Sequence, residues 1–213
     1  MRDQLERYWK DLAAMARRMP TGALAEVAEV LLDCYQRGST VFVLGNGGSA
    51  ATASHFACDL GKGTRSPGAP PFRVVALTDN AALMTAWAND TSYERVFAEQ
   101  LVALVRPGDV VVAISASGES PNVLRAAEAA REMDATTIAL TGPKPCRLHD
   151  LADFIVRSPV GTIEQVEDVH LAIGHSLCLA LREQLQAAAE PLTGELSMLN
   201  QRRSEPAAVE LGR

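Results

Sequence analysis

Five short apolar runs alternate along the chain with longer stretches of helical periodicity. The runs cover residues 39–45 (STVFVLG), 72–78 (FRVVALT), 109–115 (DVVVAIS), 136–142 (TTIALTG) and 153–159 (DFIVRSP). They are almost continuously apolar rather than alternating, which is typical of strands that are buried on both faces. Strands that alternate with helices in this way predict an α/β fold, with a parallel sheet covered by helices on both sides.

Helical patterns also lie outside the strand–helix alternation. Two precede the first strand, at about 3–19 and 22–37, and a long one follows the last strand, at about 163–188. The clearest helix inside the alternation begins after Ser120, a residue that can cap it, with Pro121 at its first position. We therefore predict a single domain over residues 1–200 and a flexible tail over 201–213.

Composition excludes several classes of function. The 213 residues carry a net charge of −6 and show no basic patch, so nucleic acid is not the expected ligand. The first 19 residues are charged throughout, unlike a signal peptide, and no apolar run is long enough to cross a membrane. Four cysteines stand far apart without a CxxC pair, which predicts reduced thiols in a cytoplasmic protein.

Three polar clusters follow predicted strands, where open parallel sheets bind their ligands. Gly45-Asn46-Gly47-Gly48-Ser49 follows the first strand and opens a helix, so it either approaches a ligand through its backbone or is simply a structural turn. Residues 115–120 (SASGES) follow the third strand, and their hydroxyls and helix N-terminus suit a phosphate unless Ser120 merely caps the helix. Asn89 and Asp90, in WANDTSYE, by themselves indicate only a turn.

Two predicted helices each carry an imidazole and a carboxylate. His55 and Asp59 are four residues apart and share a helix face, while Glu167 and His175 are eight apart on the last helix and project in similar directions. Together they could form a four-ligand nitrogen and oxygen metal site, or a pair of proton-transfer groups. The spacing alone is equally compatible with ordinary surface or core contacts.

The chain resembles the sugar isomerase (SIS) domain family, and within it the phosphoheptose isomerases. The resemblance is carried by GNGGSAATASHFACDL, WANDTSYERVF, GDVVVAISASGESPNVLRAAEAAREM, ALTG and QVEDVHLAIGHSLC, which appear in the family's order between residues 35 and 188. It implies a three-layer α/β/α domain with a five-stranded parallel sheet, assembled as a homotetramer through N-terminal helices within residues 1–37. It also implies isomerisation of sedoheptulose 7-phosphate to D-glycero-D-manno-heptose 7-phosphate by proton transfer through an enediol.

The resemblance assigns roles to individual residues. The substrate cradle would comprise Asn46, Gly47, Gly48 and Ser49, and the sugar phosphate would bind Ser115, Ala116, Ser117 and Ser120. Asn89 and Asp90 would reach the substrate, in a neighbouring subunit's site. A zinc ion, one per subunit, would be held by His55, Asp59, Glu167 and His175. Asp59 and His175 would be the catalytic acid–base pair, and Asp59 and Glu167 would also touch the substrate.

This sequence departs from the family pattern at three of these positions. Asp59 stands where the family has glutamate, Glu167 where it usually has glutamine, and Ala116 where relatives often have threonine. Two ionised carboxylates with two neutral imidazoles would neutralise a divalent cation, which favours metal binding. The shorter Asp59 displaces the expected base, and a misplacement of about 1 Å can cost on the order of 10²-fold in rate.

A second interpretation belongs to a different class of protein. Some SIS proteins similar to this family have no enzymatic activity and act as binding modules, among them a tetrameric partner of the bacterial replication initiator. A sugar-phosphate sensor that binds without turnover is a related alternative, which the change at Asp59 supports. Because a binding module has no need of two histidines and two carboxylates in the family's positions, the sequence favours the enzyme.

Overall fold

The structure confirms the predicted parallel sheet. The computed structural model describes residues 1–67 and 69–204, with side chains described as far as residue 188. Within these residues the strands are β1 (Thr40–Gly45), β2 (Arg73–Ala76), β3 (Val110–Ser115), β4 (Thr136–Thr141) and β5 (Phe154–Arg157). They pair in parallel in the order β2-β1-β3-β4-β5, and each lies within its predicted range.

Helices connect these strands and extend the domain at both ends. They are α1 (Arg2–Ala16), α2 (Thr21–Gln36), α3 (Gly48–Cys58), α4 (Ala81–Asp90), α5 (Ala98–Leu104), α6 (Pro121–Glu132) and α7 (Ile163–Ser204). Helix α7 is longer than the predicted 163–188, and it continues through Pro191 and Gly194, residue types that usually end helices. The expectation of a flexible tail over residues 201–213 stays a prediction: residues 201–204 are helical, and residues 205–213 lie outside the described part of the chain.

The continuous apolar strands are buried on both faces of the sheet, as their composition requires. In the central register Val43 pairs with Val112, which pairs in turn with Ile138, and all three side chains are fully buried. These residues pack against α2, α3 and α7, while alternate residues such as Val111 and Ala139 face α5 and α6. The result is the predicted three-layer α/β/α arrangement.

The apolar stripe of α2 packs inside the protomer. Val27, Leu31 and Cys34 are buried in the core, and Leu24 packs at its margin, so this face of the N-terminal region 1–37 is not available to the homotetramer that the resemblance implies. Burial raises the pKa of the Cys34 thiol to about 11. The four cysteines are unpaired, as predicted.

The extra helices nevertheless leave apolar side chains in solvent. Leu5 is 60% exposed and Trp9 is 66% exposed, one turn apart on α1. Among the described residues, we find no helix with both the length and the apolar character needed to span a membrane.

Strand order places two of the predicted polar clusters side by side. The order reverses between β1 and β3, and Gly45 at the end of β1 pairs with Ile114 near the end of β3. The chain leaves β1 into α3 on one face of the sheet and leaves β3 into α6 on the other. A crevice therefore opens at the carboxyl ends of these strands, where parallel α/β sheets bind ligands.

Candidate functional site

The glycine turn after β1 opens directly into a helix. Gly47 has a φ of +54°, which favours glycine, and the first residue of α3 is Gly48. The first N–H groups of a helix have no acceptor within the helix, so this helix start is able to bind an anionic or hydroxylated ligand. Ser49, predicted to belong to the cradle, is 6% exposed.

The side chain of Asn46 is held by two residues that the sequence interpretation missed. The Asn46 Nδ2 group donates to Asn122 Oδ1, and the Asn122 Nδ2 group donates back to Asn46 Oδ1, both at 2.8 Å. The Tyr93 hydroxyl also donates to the Asn46 oxygen, at 3.1 Å. One N–H of Asn46 is left for another acceptor. Both residues lie within motifs that carry the family resemblance: Asn122 follows Ser120 by two residues, and Tyr93 is the tyrosine of WANDTSYE. Their place in these motifs is the signal that could have identified them.

The serine loop after β3 is held by hydrogen bonds between its own residues. Ser115 Oγ accepts from Gly118 N at 3.1 Å, and Ser117 Oγ accepts from Glu119 N at 3.2 Å. Ser120 occupies the N-cap position of α6, but its side chain makes no capping bond. The interpretation of Ser120 as merely a capping residue is therefore not supported, and its hydroxyl is available to a ligand.

The segment after β4, residues 142–148, packs against the serine loop and forms hydrogen bonds with it. Gly118 has a φ of +64° and accepts a hydrogen bond from Leu148 N at 3.2 Å, while Glu119 accepts from Arg147 N at 2.8 Å. Cys146 Sγ packs against Gly118, and burial raises the pKa of this thiol. Ala116, where relatives often have threonine, accepts from Gly142 N at 3.0 Å through its carbonyl oxygen. These contacts fix the backbone conformation of the serine loop.

Three of the four predicted metal ligands meet between α3 and α7. His55 Nε2 lies 3.4 Å from Asp59 Oδ2, and His175 Nε2 lies 3.6 Å from the same oxygen. The two imidazole Nε2 atoms are 3.1 Å apart. Asp59 begins a single π-helical turn, Asp59–Gly63, which follows α3 directly. Such turns occur often at functional sites, and this one keeps the i, i+4 contact between His55 and Asp59.

The three ligand atoms are compatible with a transition metal. They lie within 4.8 Å of one another, and two imidazole nitrogens with one carboxylate oxygen form the ligand set of many catalytic zinc sites. The histidine side chains are about half exposed, so the fourth coordination position faces solvent or substrate. A cleft of about 300 Å³ adjoins the cluster, and Arg182, a residue that the sequence did not single out, lines it.

The remaining predicted residues lie outside this cluster. Glu167 packs on the glycine turn, where its carboxylate would be 2.5–2.8 Å from a Cβ atom placed on Gly48. Asn89 and Asp90 are exposed at the end of α4, and Asn89 donates to Asp90 at 2.9 Å. Their predicted role in a neighbouring subunit's site stays a prediction.

His170 links α7 to the end of β4. Its side chain is 1% exposed, its Nε2 lies 3.2 Å from the Thr141 carbonyl oxygen, and its Nδ1 has no partner among the described residues. Burial lowers the pKa of His170, so the imidazole is neutral near pH 7. The contact sets the position of α7, and with it Glu167 and His175, relative to the sheet.

Comparison with known proteins agrees with this architecture. Residues 7–142 match the model of the SIS domain family. The phosphoheptose isomerase of Rhodospirillum rubrum is 42% identical over 156 residues, which cover 73% of this chain and 82% of that protein. The phosphoheptose isomerase of Akkermansia muciniphila is 37% identical over 170 residues, which cover 80% of this chain and 87% of that protein.

Solved structures give the same result. A phosphoheptose isomerase from Neisseria gonorrhoeae superposes with a TM-score of 0.79 at 30% identity, covering 85% of this chain and 98% of that one. A phosphoheptose isomerase from Francisella tularensis superposes with a TM-score of 0.78 at 31% identity, covering 85% and 96%. Both likenesses extend over almost the whole length of the solved chains.

Proposed function

Because this chain belongs to the SIS domain family, and its relatives are phosphoheptose isomerases, we propose that it isomerises sedoheptulose 7-phosphate to D-glycero-D-manno-heptose 7-phosphate. The observation that carries the proposal is the cluster of His55, Asp59 and His175 beside a crevice with a preformed serine loop. A binding module would need the loop alone. An aldose–ketose isomerase needs groups that polarise a carbonyl and move a proton as well.

The serine loop is the proposed phosphate site. The Ser115, Ser117 and Ser120 hydroxyls supply donors, and the dipole of α6, which begins at Pro121, favours negative charge there. The free N–H of Asn46 and the backbone of the glycine turn then face the hydroxyl groups of the sugar chain. This orientation leaves the carbonyl end of the substrate for α3 and α7.

We propose that His55, Asp59 and His175 hold one divalent metal, most simply zinc. Borderline nitrogen and oxygen ligands suit zinc, although nickel, cobalt or manganese could replace it. A zinc ion bound there would act as a Lewis acid toward the substrate oxygens. Neutral imidazoles are required for ligation, so metal affinity falls as pH drops through about 6.5.

Proton transfer completes the proposed chemistry. The family resemblance assigns it to Asp59 and His175, and this assignment stays a prediction. Asp59 is 30% exposed and lies between two imidazoles, so its carboxylate is accessible and its environment is polar. His175 lies on α7 with its ring against that of His55, at a centroid distance of 4.8 Å.

The quaternary structure is part of the proposal. We place the enzyme in the cytoplasm as a homotetramer that uses the exposed face of α1, including Leu5 and Trp9. Asn89 and Asp90, exposed at the end of α4, are available to complete a neighbour's site. These features rest on the family resemblance and on the accessibility of the side chains.

The test is to incubate purified protein with sedoheptulose 7-phosphate and follow aldose phosphate formation by NMR, with metal content measured by mass spectrometry. We expect turnover, about one metal per subunit, and loss of both in His175→Ala. His149→Ala is the matched control, because it removes a histidine that contacts Thr141 and Arg157 rather than the cluster. Substrate binding without aldose formation in the metal-loaded protein would favour the sensor instead.

A further inference from the structure

The side chain of Asn122 is a buried amide that connects the two polar loops of the crevice. It belongs to the second residue of α6 and is 2% exposed, so water does not satisfy its hydrogen-bonding groups. Among the described residues, this side chain forms hydrogen bonds only with Asn46, which follows β1. Asn46 belongs to the glycine turn and Asn122 follows the serine loop, so the amide pair joins the two loops.

The hydrogen bonds of Asn46 leave its side chain with one group for a ligand. Its oxygen has two lone pairs, which accept from the Asn122 amide at 2.8 Å and from the Tyr93 hydroxyl at 3.1 Å. Its amide nitrogen has two hydrogens, and one is donated to Asn122 Oδ1 at 2.8 Å. Asn46 is only half-buried, so the remaining N–H is accessible to a ligand, and this group can only donate.

An asparagine amide that has no such partners does not have a fixed polarity. A half-turn about its terminal bond exchanges the positions of oxygen and nitrogen, so the same side chain presents either a donor or an acceptor. In Asn46, two donors point at one oxygen. A half-turn of this amide alone would place its nitrogen against both donors, and it would leave buried polar groups of Asn122 unpaired, which is costly.

Asn122 and Tyr93 contribute differently to this arrangement. Two paired amides could turn over together and bond equally well, so Asn122 holds the plane of the Asn46 amide without deciding its direction. The Tyr93 hydroxyl donates to the Asn46 oxygen and so favours one of the two directions. Tyr93 is 56% exposed and begins a short 3-10 turn, Tyr93–Arg95, after α4.

We propose that Asn122 and Tyr93 are positioning residues, which orient the Asn46 amide so that it donates to an acceptor oxygen of the substrate. This inference rests on the proposed function, in which Asn46 faces the sugar chain, and it adds the kind of group that Asn46 selects. Asn122 is too buried to touch the substrate, so it acts through Asn46. The sugar chain is not the reacting end, so the contact strengthens binding of substrate and transition state alike.

The test is a set of double-mutant cycles in the isomerase assay. Tyr93→Phe removes one hydroxyl from an exposed side chain, and Asn122→Ala removes the buried amide from a helix in which alanine is favourable. We expect each substitution to raise KM for sedoheptulose 7-phosphate about three- to tenfold at nearly constant kcat, since one hydrogen bond usually contributes that much. In an Asn46→Ala background, where the oriented amide is absent, neither substitution should raise KM further.

Tyr35→Phe is the matched control for the loss of a tyrosine hydroxyl. The Tyr35 hydroxyl donates to the Pro70 carbonyl oxygen, away from the crevice, so KM should stay at the wild-type value. Circular dichroism gives the Tm of each variant and separates a loss of positioning from a loss of fold. Asn122→Leu, which fills nearly the volume of asparagine, repeats the test if Asn122→Ala is unstable.

The other outcomes separate this inference from the proposed function. Wild-type KM in both Tyr93→Phe and Asn122→Ala would overturn the positioning role, and so would effects that add fully to that of Asn46→Ala. A wild type that binds sedoheptulose 7-phosphate without turnover would remove the isomerase alone, and the same factors would then be expected in the Kd from calorimetry. A wild type that neither binds nor isomerises this sugar would overturn the proposed function and the positioning role with it.

Discussion

Replacing Gly48 with alanine should move the Glu167 carboxylate without changing its charge. The added Cβ would lie 2.5 Å from Oε2 and 2.8 Å from Oε1 and Cδ, whereas ordinary contact begins near 3.4 Å. The carboxylate, which the resemblance expects to contact the substrate, must therefore retreat by about 1 Å, and a misplacement of that size in an active site costs on the order of 10²-fold in rate. Fold stability should not fall, since alanine is preferred to glycine in helices by up to about 1 kcal/mol.

Gly22→Ala provides the matched control for this substitution. Gly22 also lies in the first turn of a helix, α2, but a Cβ placed there meets nothing within 4 Å. Aldose formation gives kcat, circular dichroism gives Tm, and mass spectrometry gives the metal content of each variant. We expect Gly48→Ala to lose kcat at unchanged Tm and metal content. Wild-type kcat in Gly48→Ala would show that the position of the carboxylate does not matter, and would refute the reasoning.

Three further predictions concern the phosphate loop, the buried histidine and the oligomer. Ser117→Ala and Ser120→Ala should each raise KM several-fold at nearly constant kcat, since phosphate anchoring is largely uniform binding; an unchanged KM in both would place the phosphate elsewhere. Burial lowers the pKa of His170, so the unfolded chain protonates first, and the free energy of unfolding should fall as pH drops below about 6.5. His170→Gln should flatten that dependence in denaturant titrations, and an unchanged slope would assign it to other groups. Trp9→Glu should shift light scattering at micromolar concentration from tetramer toward smaller species, whereas a variant that stays tetrameric would exclude this face of α1.

The fold was largely predictable because its signals are local. Strands buried on both faces need continuous apolar runs, and Val110–Ser115 is such a run with every residue buried. The positions of helices follow from periodicity and from features such as Pro121 at the start of α6. The end of α7 was missed, because Pro191 and Gly194 are normally stop signals, and local propensity does not show that the helix continues through them.

The candidate site was only partly predictable because its contacts are between distant segments. The sequence identified His55, Asp59 and His175, but it could not show that Glu167 lies apart from them on the glycine turn. It also could not show that Asn122, 76 residues after Asn46, would hold the Asn46 amide. The apolar stripe of α2 has the same appearance whether it faces the protomer core or another subunit, and the structure places it in the core.

The sequence by itself determined the strands, the helices, the edge of the sheet that carries ligands and the residue types available there. Each of these depends on properties that neighbouring residues share, such as side-chain period, backbone freedom and burial preference. Only the tertiary structure decided which carboxylate joins the two imidazoles and which one lies on the glycine turn. Both acids occupy family ligand positions in the sequence, and the packing of α7 against α3 places Asp59 beside the two imidazoles and Glu167 at the start of α3.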